Sequence, residues 1–577
     1  MLSEQAQGAQ KNMKYFSQNQ EQGLLKIISF GGTETVTKNM TVYEYKDEIV
    51  IVDCGVEFPD DEALGVDVLI PDFTYVLENK EKVKALVITH AHEDHIGAIP
   101  YLIEELNVPI YCNKLVQGFI GSRFEDRRFK KLKEGLRFNL LEPGVEVTIG
   151  SFKFKPFRLN HSVPRSMGFA IHTPEGLIMH MADYRVDWTP VLDTPLDVGE
   201  ISTISKEGVL CFLSDCLGSE VEGYSKSEST LTDTFTELFE KAEGRQLLIT
   251  TISSNLSRMF QIMTAAVHSG RRVVLGGRSI IQSVAVGKSL GLIPFPDDLF
   301  VGEQDAASYP QSDLVYIAAG CYGQQGSALD RAARKEHKNI ILEDNSMVVF
   351  SADPNPPGVD VAVERLMAVL TLAGAEVIYS KIQANLHVSG HGARGDLTMM
   401  AKLVNPKYFI PIGGTITKMR EYSNMIGDLG FDKKSVFELK EGETLEFMGG
   451  NARMGEKIVV KPVYIDQNSI DEVNPVVVKD RSHLSEEGVF VVVIPISPDG
   501  NVKANKCEVV TRGFVYVKDS QELLEKSRRF IEKSVNKNLE KNKDFGSIRK
   551  RVESEIERFL YKETGRNPLV IVHTLTV

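Results

Sequence analysis

His90-Ala91-His92-Glu93-Asp94-His95 stands between two apolar runs, Ala85-Leu86-Val87-Ile88 before it and Ile96-Gly97-Ala98-Ile99-Pro100-Tyr101-Leu102-Ile103 after it. The flanks decide how the block folds. A short apolar run predicts a buried strand that ends at Thr89, and the pattern beyond His95 is that of an amphipathic helix. Such a joint holds His90 and His92 on one side of the turn, with Asp94 and His95 just behind them. Imidazoles are then offered to one ion, and a carboxylate plus an imidazole to a second. Imidazole suits zinc and other borderline metals, carboxylate is harder, and a metal lowers the pKa of bound water toward neutrality. The reaction class implied is hydrolysis. A His-rich stretch can also be an incidental metal-binding tract or a tag, but tags sit at termini, and this block is internal and ordered.

Composition narrows the rest. A chain of 577 residues, 42% of them hydrophobic, is expected to be globular, with roughly three or four domains. No run approaches the ~18 apolar residues of a membrane span, and the polar N-terminus lacks a signal core, so the expected location is the cytoplasm, with no membrane partner. Six cysteines, Cys54, Cys112, Cys211, Cys216, Cys321 and Cys507, lack paired spacing; reduced, mostly buried thiols fit better than a disulfide framework. The net charge of -13 argues against bulk attraction to nucleic acid. Two local runs, Arg123 to Arg137 and Lys526 to Arg551, are nevertheless basic; each can be a solvated helix face or a phosphate contact.

Along the chain, strands alternate with helices, which predicts parallel sheets with crossover helices. Residues 1–23 read as a disordered tail. Strands are predicted at Leu24 to Ser29, Ile49 to Asp53 and Gln246 to Ile252, and helices at Leu231 to Glu243 and Ser257 to Ser269. Residues 219–382 form a second α/β domain inside the first, which occupies 24–218 and 383–450. A linker is expected over 451–471, directly after the Gly449-Gly450 pair. A small α+β domain follows over 472–577, with strands at Gly488 to Ile496 and Gly513 to Val517 and two charged helices.

One loop cannot complete a hydrolytic metal site. His161 and Asp183 each follow an apolar run, and ligands at the ends of successive strands converge on one edge of a sheet. Asp53, the 90–95 block, His161 and Asp183 together resemble, in order, the motifs of a metallo-β-lactamase αββα sandwich. Asp215, Ser254-Asn255-Leu256-Ser257-Arg258, Gly277-Arg278-Ser279, Gly320-Cys321-Tyr322-Gly323-Gln324-Gln325-Gly326 and Val388-Ser389-Gly390-His391-Gly392 are similar to those of the ribonuclease J family, with its inserted β-CASP domain. Asp480 to Gly488 and Arg512 to Val517 extend the resemblance to the C-terminus.

The resemblance implies a 5′-3′ exoribonuclease with additional endonuclease activity, in RNA maturation and decay. It implies one or two Zn²⁺ per subunit, with Mn²⁺ or Mg²⁺ as alternatives. His90, His92 and His161 would hold the first ion and Asp94 and His95 the second, with Asp183 between them. Asp94, Asp183 and His391 would be catalytic, His391 meeting the scissile phosphate, while Asp53 and Asp215 would support the ligands. Ser254, Ser257, Arg258, Arg278, Ser279, Ser389 and His391 would bind RNA, including a 5′ monophosphate. A homodimer or homotetramer is implied, with a paralogous subunit as a further partner.

One departure stands out. Where the family completes the second metal site with a histidine after the strand Tyr408 to Ile412, this chain has Gly413. A weaker second ion, a single ion, or a weakly active or inactive RNA-binding partner subunit of another ribonuclease J all follow from that change. The surviving ligands favour retained activity. A small-ester metallo-hydrolase is the reading from another class, against which the inserted domain and Arg278-Ser279 argue.

Overall fold

The computed structural model describes residues 23–59, 63–353, 359–466, 472–497, 504–515, 520–541 and 545–576. The predicted tail, apart from its last residue, lies outside them. Contacts divide the chain into one unit of residues 1–57 and 70–462 and another of 58–69 and 463–577.

In the first unit two mixed sheets face each other. One orders its strands as Asn451–Met454, Thr444–Met448, Leu25–Gly31, Met40–Tyr45, Glu48–Val52, Val83–Val87, Ile110–Cys112 and Phe138–Leu140; the other runs Tyr408–Ile412, Val209–Asp215, Gly176–His180, Met167–Thr173, Phe152–Arg158 and Val147–Ile149. Alternate residues of both, among them Ile27, Val50, Val52, Val87, Phe154, Phe169, Leu213 and Ile410, interlock in one core. Each such side chain contributes about 1.5–3 kcal/mol by leaving water. The second sheet covers its other face with the helices Val198–Ser205, Arg394–Val404 and Ile416–Asp428. This is the expected sandwich. Its strands Glu48–Val52, Val83–Val87, Gly176–His180 and Val209–Asp215 all end toward the predicted ligands.

The inserted domain carries a parallel sheet in the order Phe300–Val301, Arg272–Gly276, Leu314–Ala318, Leu247–Thr250, Met347–Phe350, Glu376–Ile378. The helix Leu231–Lys241 buries Leu231, Phe235, Leu238 and Phe239, the one-face spacing that predicts it. Leu256–Ser269 starts at Asn255, whose side chain accepts from Arg258 N. The six cysteines are free and five are buried.

Three expectations need correction. Residues 451–454 are not linker but an edge strand paired with Thr444–Met448; the Gly449-Gly450 pair that reads as a break has positive φ at both positions and makes the hairpin turn. Residues 467–471 of that expected linker lie outside the described residues. Residues 58–69 belong to the C-terminal unit, where Asp67 N donates to the Ile465 carbonyl. In that unit the sheet Glu508–Arg512, Val489–Ile496, Leu569–Thr576 packs on the helices Gln521–Lys541 and Phe545–Thr564. The strand expected at Gly513 to Val517 is thus displaced to Glu508–Arg512: Gly513, at φ +71°, turns the chain so that Phe514 enters the core. Residues 516 and 517 lie outside the described residues.

Candidate metal centre

The strand Val83–Val87 ends three residues before His90, and a single turn of helix, Glu93–Ile96, carries Asp94 and His95. His161 comes from the turn after Phe152–Arg158, and Asp183 from the one after Gly176–His180. Ligand atoms of His90, His92, His161 and Asp183 all lie within 4.8 Å of one another, as do those of Asp94, His95 and Asp183, and those of Asp183, Asp215 and His391. The structure therefore brings together every ligand read from the sequence.

Hydrogen bonds fix how the imidazoles are turned. His161 Nδ1 lies 2.7 Å from the Gly390 carbonyl, which only accepts, so Nδ1 donates and Nε2 keeps its lone pair. His92 Nε2 bonds Ser162 Oγ at 3.1 Å, leaving Nδ1, which lies 3.0 Å from His161 Nε2. His90 Nδ1 bonds Thr89 Oγ1 at 2.9 Å, and Thr89 Oγ1 donates to Asp53 Oδ2 at 2.8 Å. The buried His90 Nε2 then has no hydrogen-bond partner among the described residues. An orphaned buried lone pair facing two others and a carboxylate is what a bound cation requires. Burial keeps these rings neutral, with His92 lowered to about 3 and His90 and His161 also well below the ordinary histidine value.

The other half differs. Asp53 Oδ2 accepts from His95 Nδ1 at 2.7 Å, while Asp53 Oδ1 accepts from Thr89 N at 2.9 Å. Asp53 thus steadies both halves, and its φ of +64° shows a backbone held in the left-handed region by those bonds. His95 Nε2 lies 3.2 Å from Asp183 Oδ2 and 3.6 Å from Asp94 Oδ2. Burial opposes a charge on His95, but Asp183, Asp94 and Asp53 outweigh it and raise its pKa. Burial pushes Asp94 up to about 6, against His95 and with help from Asp183.

Gly413 faces Asp183 and Asp215. A Cβ there would lie 3.3 Å from Asp183 Oδ1 and 3.6 Å from Asp215 Oδ1. With no side chain, Gly413 adds no donor to the group of Asp94, His95 and Asp183. Asp215 does not bond the metal-facing imidazoles; it accepts from His391 Nδ1 at 2.7 Å. The His391 ring lies 5.0 Å from that of His161. Burial works against its charge, yet Asp215, Asp183 and Asp94 lift its pKa to about 9, so it is a cation at neutral pH.

The RNA-binding residues read from the sequence divide. Ser389 is exposed, and its Oγ accepts from His391 N. Arg278 is exposed and Ser279 partly so at the start of the helix Arg278–Ser289, whereas Ser254 and Ser257 are buried; all four lie outside the ligand groups. Arg258 is a correction. It is 0% exposed, its Nε and Nη2 bind Glu228, and its Nη1 binds Ser351. With no open face for a phosphate, it is a structural cation.

Sequence reading missed the partners. Asn39 Nδ2 lies 3.3 Å from Asp94 Oδ2 and 3.1 Å from His95 Nε2. Buried Arg185 binds the Ser389 carbonyl and pairs with Asp187 and Glu228. Glu228 thereby joins Arg185 to Arg258 and ties the His391 loop to the inserted domain. A buried ion in a chain this size needs a partner, but nothing in the sequence says which.

The comparisons agree with this architecture. Residues 34–186 match the metallo-beta-lactamase superfamily, 243–370 the beta-CASP domain of ribonuclease J, and 476–577 the ribonuclease J C-terminal domain. The chain is 33% identical to ribonuclease J 1 of Streptococcus pyogenes over 552 residues, covering 95% of this chain and 97% of that one. It is 32% identical to ribonuclease J2 of Bacillus subtilis over 548 residues, covering 95% and 98%. A crystal structure of a protein of unknown function from Enterococcus faecalis V583 shares the fold, with a TM-score of 0.52 at 15% identity over 74% of this chain and all of that one.

Proposed function

Because the chain belongs to the ribonuclease J family, we propose that it shortens RNA from a 5′ monophosphate end and also cuts RNA internally. As a member it is a metal-dependent hydrolase of RNA phosphodiesters that acts in RNA processing. The observation that carries the proposed mechanism is the convergence of free imidazole lone pairs, His90 Nε2 above all, on Asp183.

His90, His92, His161 and Asp183 would hold one cation, and Asp94, His95 and Asp183 the other. The donor set favours zinc, with manganese or magnesium as alternatives. Bound there, the metal supplies polarised phosphoryl oxygens and an activated water. The chain's own residues do the rest. Asp215 holds His391 Nδ1, so Nε2–H points away from it, toward a phosphate oxygen or the departing oxygen. Ser389 steadies the His391 backbone. Arg278 and Ser279 open a helix whose amides favour anions, and with Ser254, Ser257 and Ser389 they make the proposed terminal phosphate pocket.

The proposal includes self-association, as a dimer or tetramer or with a paralogous subunit, and a cytoplasmic location. Among the described residues no helix is long and apolar enough to cross a membrane.

The test compares 5′-monophosphate RNA, 5′-hydroxyl RNA and a chromogenic ester, for wild type and Asp94→Ala. Faster loss of the monophosphate RNA, no ester turnover and a slower variant are expected. Ester turnover without RNA turnover would contradict the substrate, and an Asp94→Ala variant as active as wild type would place the chemistry elsewhere.

A further inference from the structure

Residues 123–137 hold seven cations against three carboxylates, in a chain of net charge -13. The fold fixes this segment. Phe124 and Phe129 are buried, and Phe129 meets Tyr101 edge-on with ring centres 5.1 Å apart. Arg128 lies over Tyr101 at 5.2 Å and over Phe129 at 5.0 Å, and pairs with Glu104 at 3.1 Å. Tyr101 and Glu104 belong to the helix Ile99–Glu105, which follows the ligand block directly. At the segment's start Arg123 pairs with Glu93, the residue between His92 and Asp94.

Lys133 on Glu125 makes a third pair, while Asp126 accepts from Arg128 N and Glu134 has no ion-pair partner among the described residues. Arg127, Lys130 and Lys131 have no ion-pair partner among the described residues, and all three are exposed. With Lys133, Glu125 and Glu134 they line one hollow of about 570 Å³. An isolated surface lysine usually does nothing but stay hydrated. Here three cations outside any ion pair share a concavity on a backbone braced by Phe124, Phe129 and Tyr101 and tied at its start, through Arg123, to Glu93 of the ligand block. A chain of phosphates is the ligand that such spacing suits, since each contact releases a counterion and Arg forks onto phosphate oxygens.

We propose that Arg127, Lys130 and Lys131 form a second RNA-binding surface, which holds backbone phosphates of a strand extending beyond the catalytic cleft. The proposal rests on RNA being the substrate. Its consequence is length dependence: an RNA too short to reach the hollow gains nothing from it.

The experiment measures binding of fluorescent single-stranded RNAs to the full chain by anisotropy, with chelator present to prevent cleavage. RNAs of about 6 and about 30 nucleotides lie near the lower end and well beyond the upper end of an ordinary single-strand site of about 4–16 nucleotides. The triple variant Arg127→Ser, Lys130→Ser, Lys131→Ser should bind the long RNA on the order of tenfold more weakly. Its slope of log affinity against log salt should be shallower by about two, at ~0.7 per lost phosphate contact. The short RNA should lose less than about twofold by the same relation. The charge-keeping variant Arg127→Lys, Lys130→Arg, Lys131→Arg should bind the long RNA like wild type. Unchanged affinity and slope in the triple would overturn the proposal, as would equal loss for both lengths, or poly-glutamate displacing the long RNA as well as RNA does. If wild type binds RNA with these dependences but cleaves none once metal is restored, the nuclease reading fails and the second surface stands.

Discussion

His90, His92 and His161 group with Asp183, and so do Asp94 and His95, yet the two groups are prepared differently for a cation. In the first, burial keeps the rings neutral, and a hydroxyl or carbonyl behind each ring turns a lone pair inward. A cation meets donors that need give up no proton. In the second, Asp183, Asp94 and Asp53 raise the pKa of His95 against its burial, so this half favours a proton on a ring that a metal needs bare. Gly413 adds no donor there. The lesson is that counting ligands does not rank two metal sites: the protonation state at rest and the backing of each donor do so as well.

The comparison can be broken at its shared residue first. Asp183→Asn should cost both ions together and lower RNA turnover on the order of 10²- to 10⁴-fold, since loss of a supporting group alone costs ~10–100-fold. Steady-state rates with metal analysis check it; loss of one ion only would show that Asp183 does not serve both halves. Next comes Asp53, which reaches His95 directly and His90 through Thr89. Asp53→Ala should cost about 10- to 100-fold in metal affinity, felt in both halves.

A smaller effect separates His391 from the metal ligands. In chelated protein its pKa of about 9 lies above the unfolded value, so its contribution to stability is complete below ~6.5 and is lost as pH rises through about 9. Melting temperatures of chelated wild type should fall by roughly a few degrees more between pH 7 and 10 than those of His391→Gln. Parallel curves would remove the His391–Asp215 pair from the account. The mildest change is Gly413→His. Its backbone, at φ +68°, costs a side chain about 1–2 kcal/mol, and the Cβ meets Asp183 Oδ1 at 3.3 Å. A slightly less stable protein with several-fold tighter second-ion binding is expected, at about 1.4 kcal/mol per tenfold, read by calorimetry and melting.

The ligands were legible in the sequence because four of them share the block at 90–95 between two apolar runs, and His161 and Asp183 each follow an apolar run whose strand end converges on the same sheet edge. The departure at Gly413 was legible only through the resemblance to the ribonuclease J family, which sets a histidine after the strand Tyr408–Ile412. What lay hidden were pairings across long stretches of chain. Gly390 orients His161 across 229 residues, and Asn39 reaches Asp94 across 55. Arg258 reads as a phosphate ligand because charge is visible in sequence and its buried partner Glu228 is not. Residues 58–69 likewise carry no composition that separates them from the strands around them, although their contacts belong to the C-terminal unit.

The central claim, that the two halves hold metal unequally, is tested most directly by Zn²⁺ titration of the metal-free chain with equilibrium dialysis. Two ions should bind per chain, with affinities at least ~10-fold apart; His92→Ala should abolish the tight phase and Asp94→Ala only the weak one. Two phases of equal affinity, or loss of the tight phase in Asp94→Ala with the weak phase intact, would contradict it.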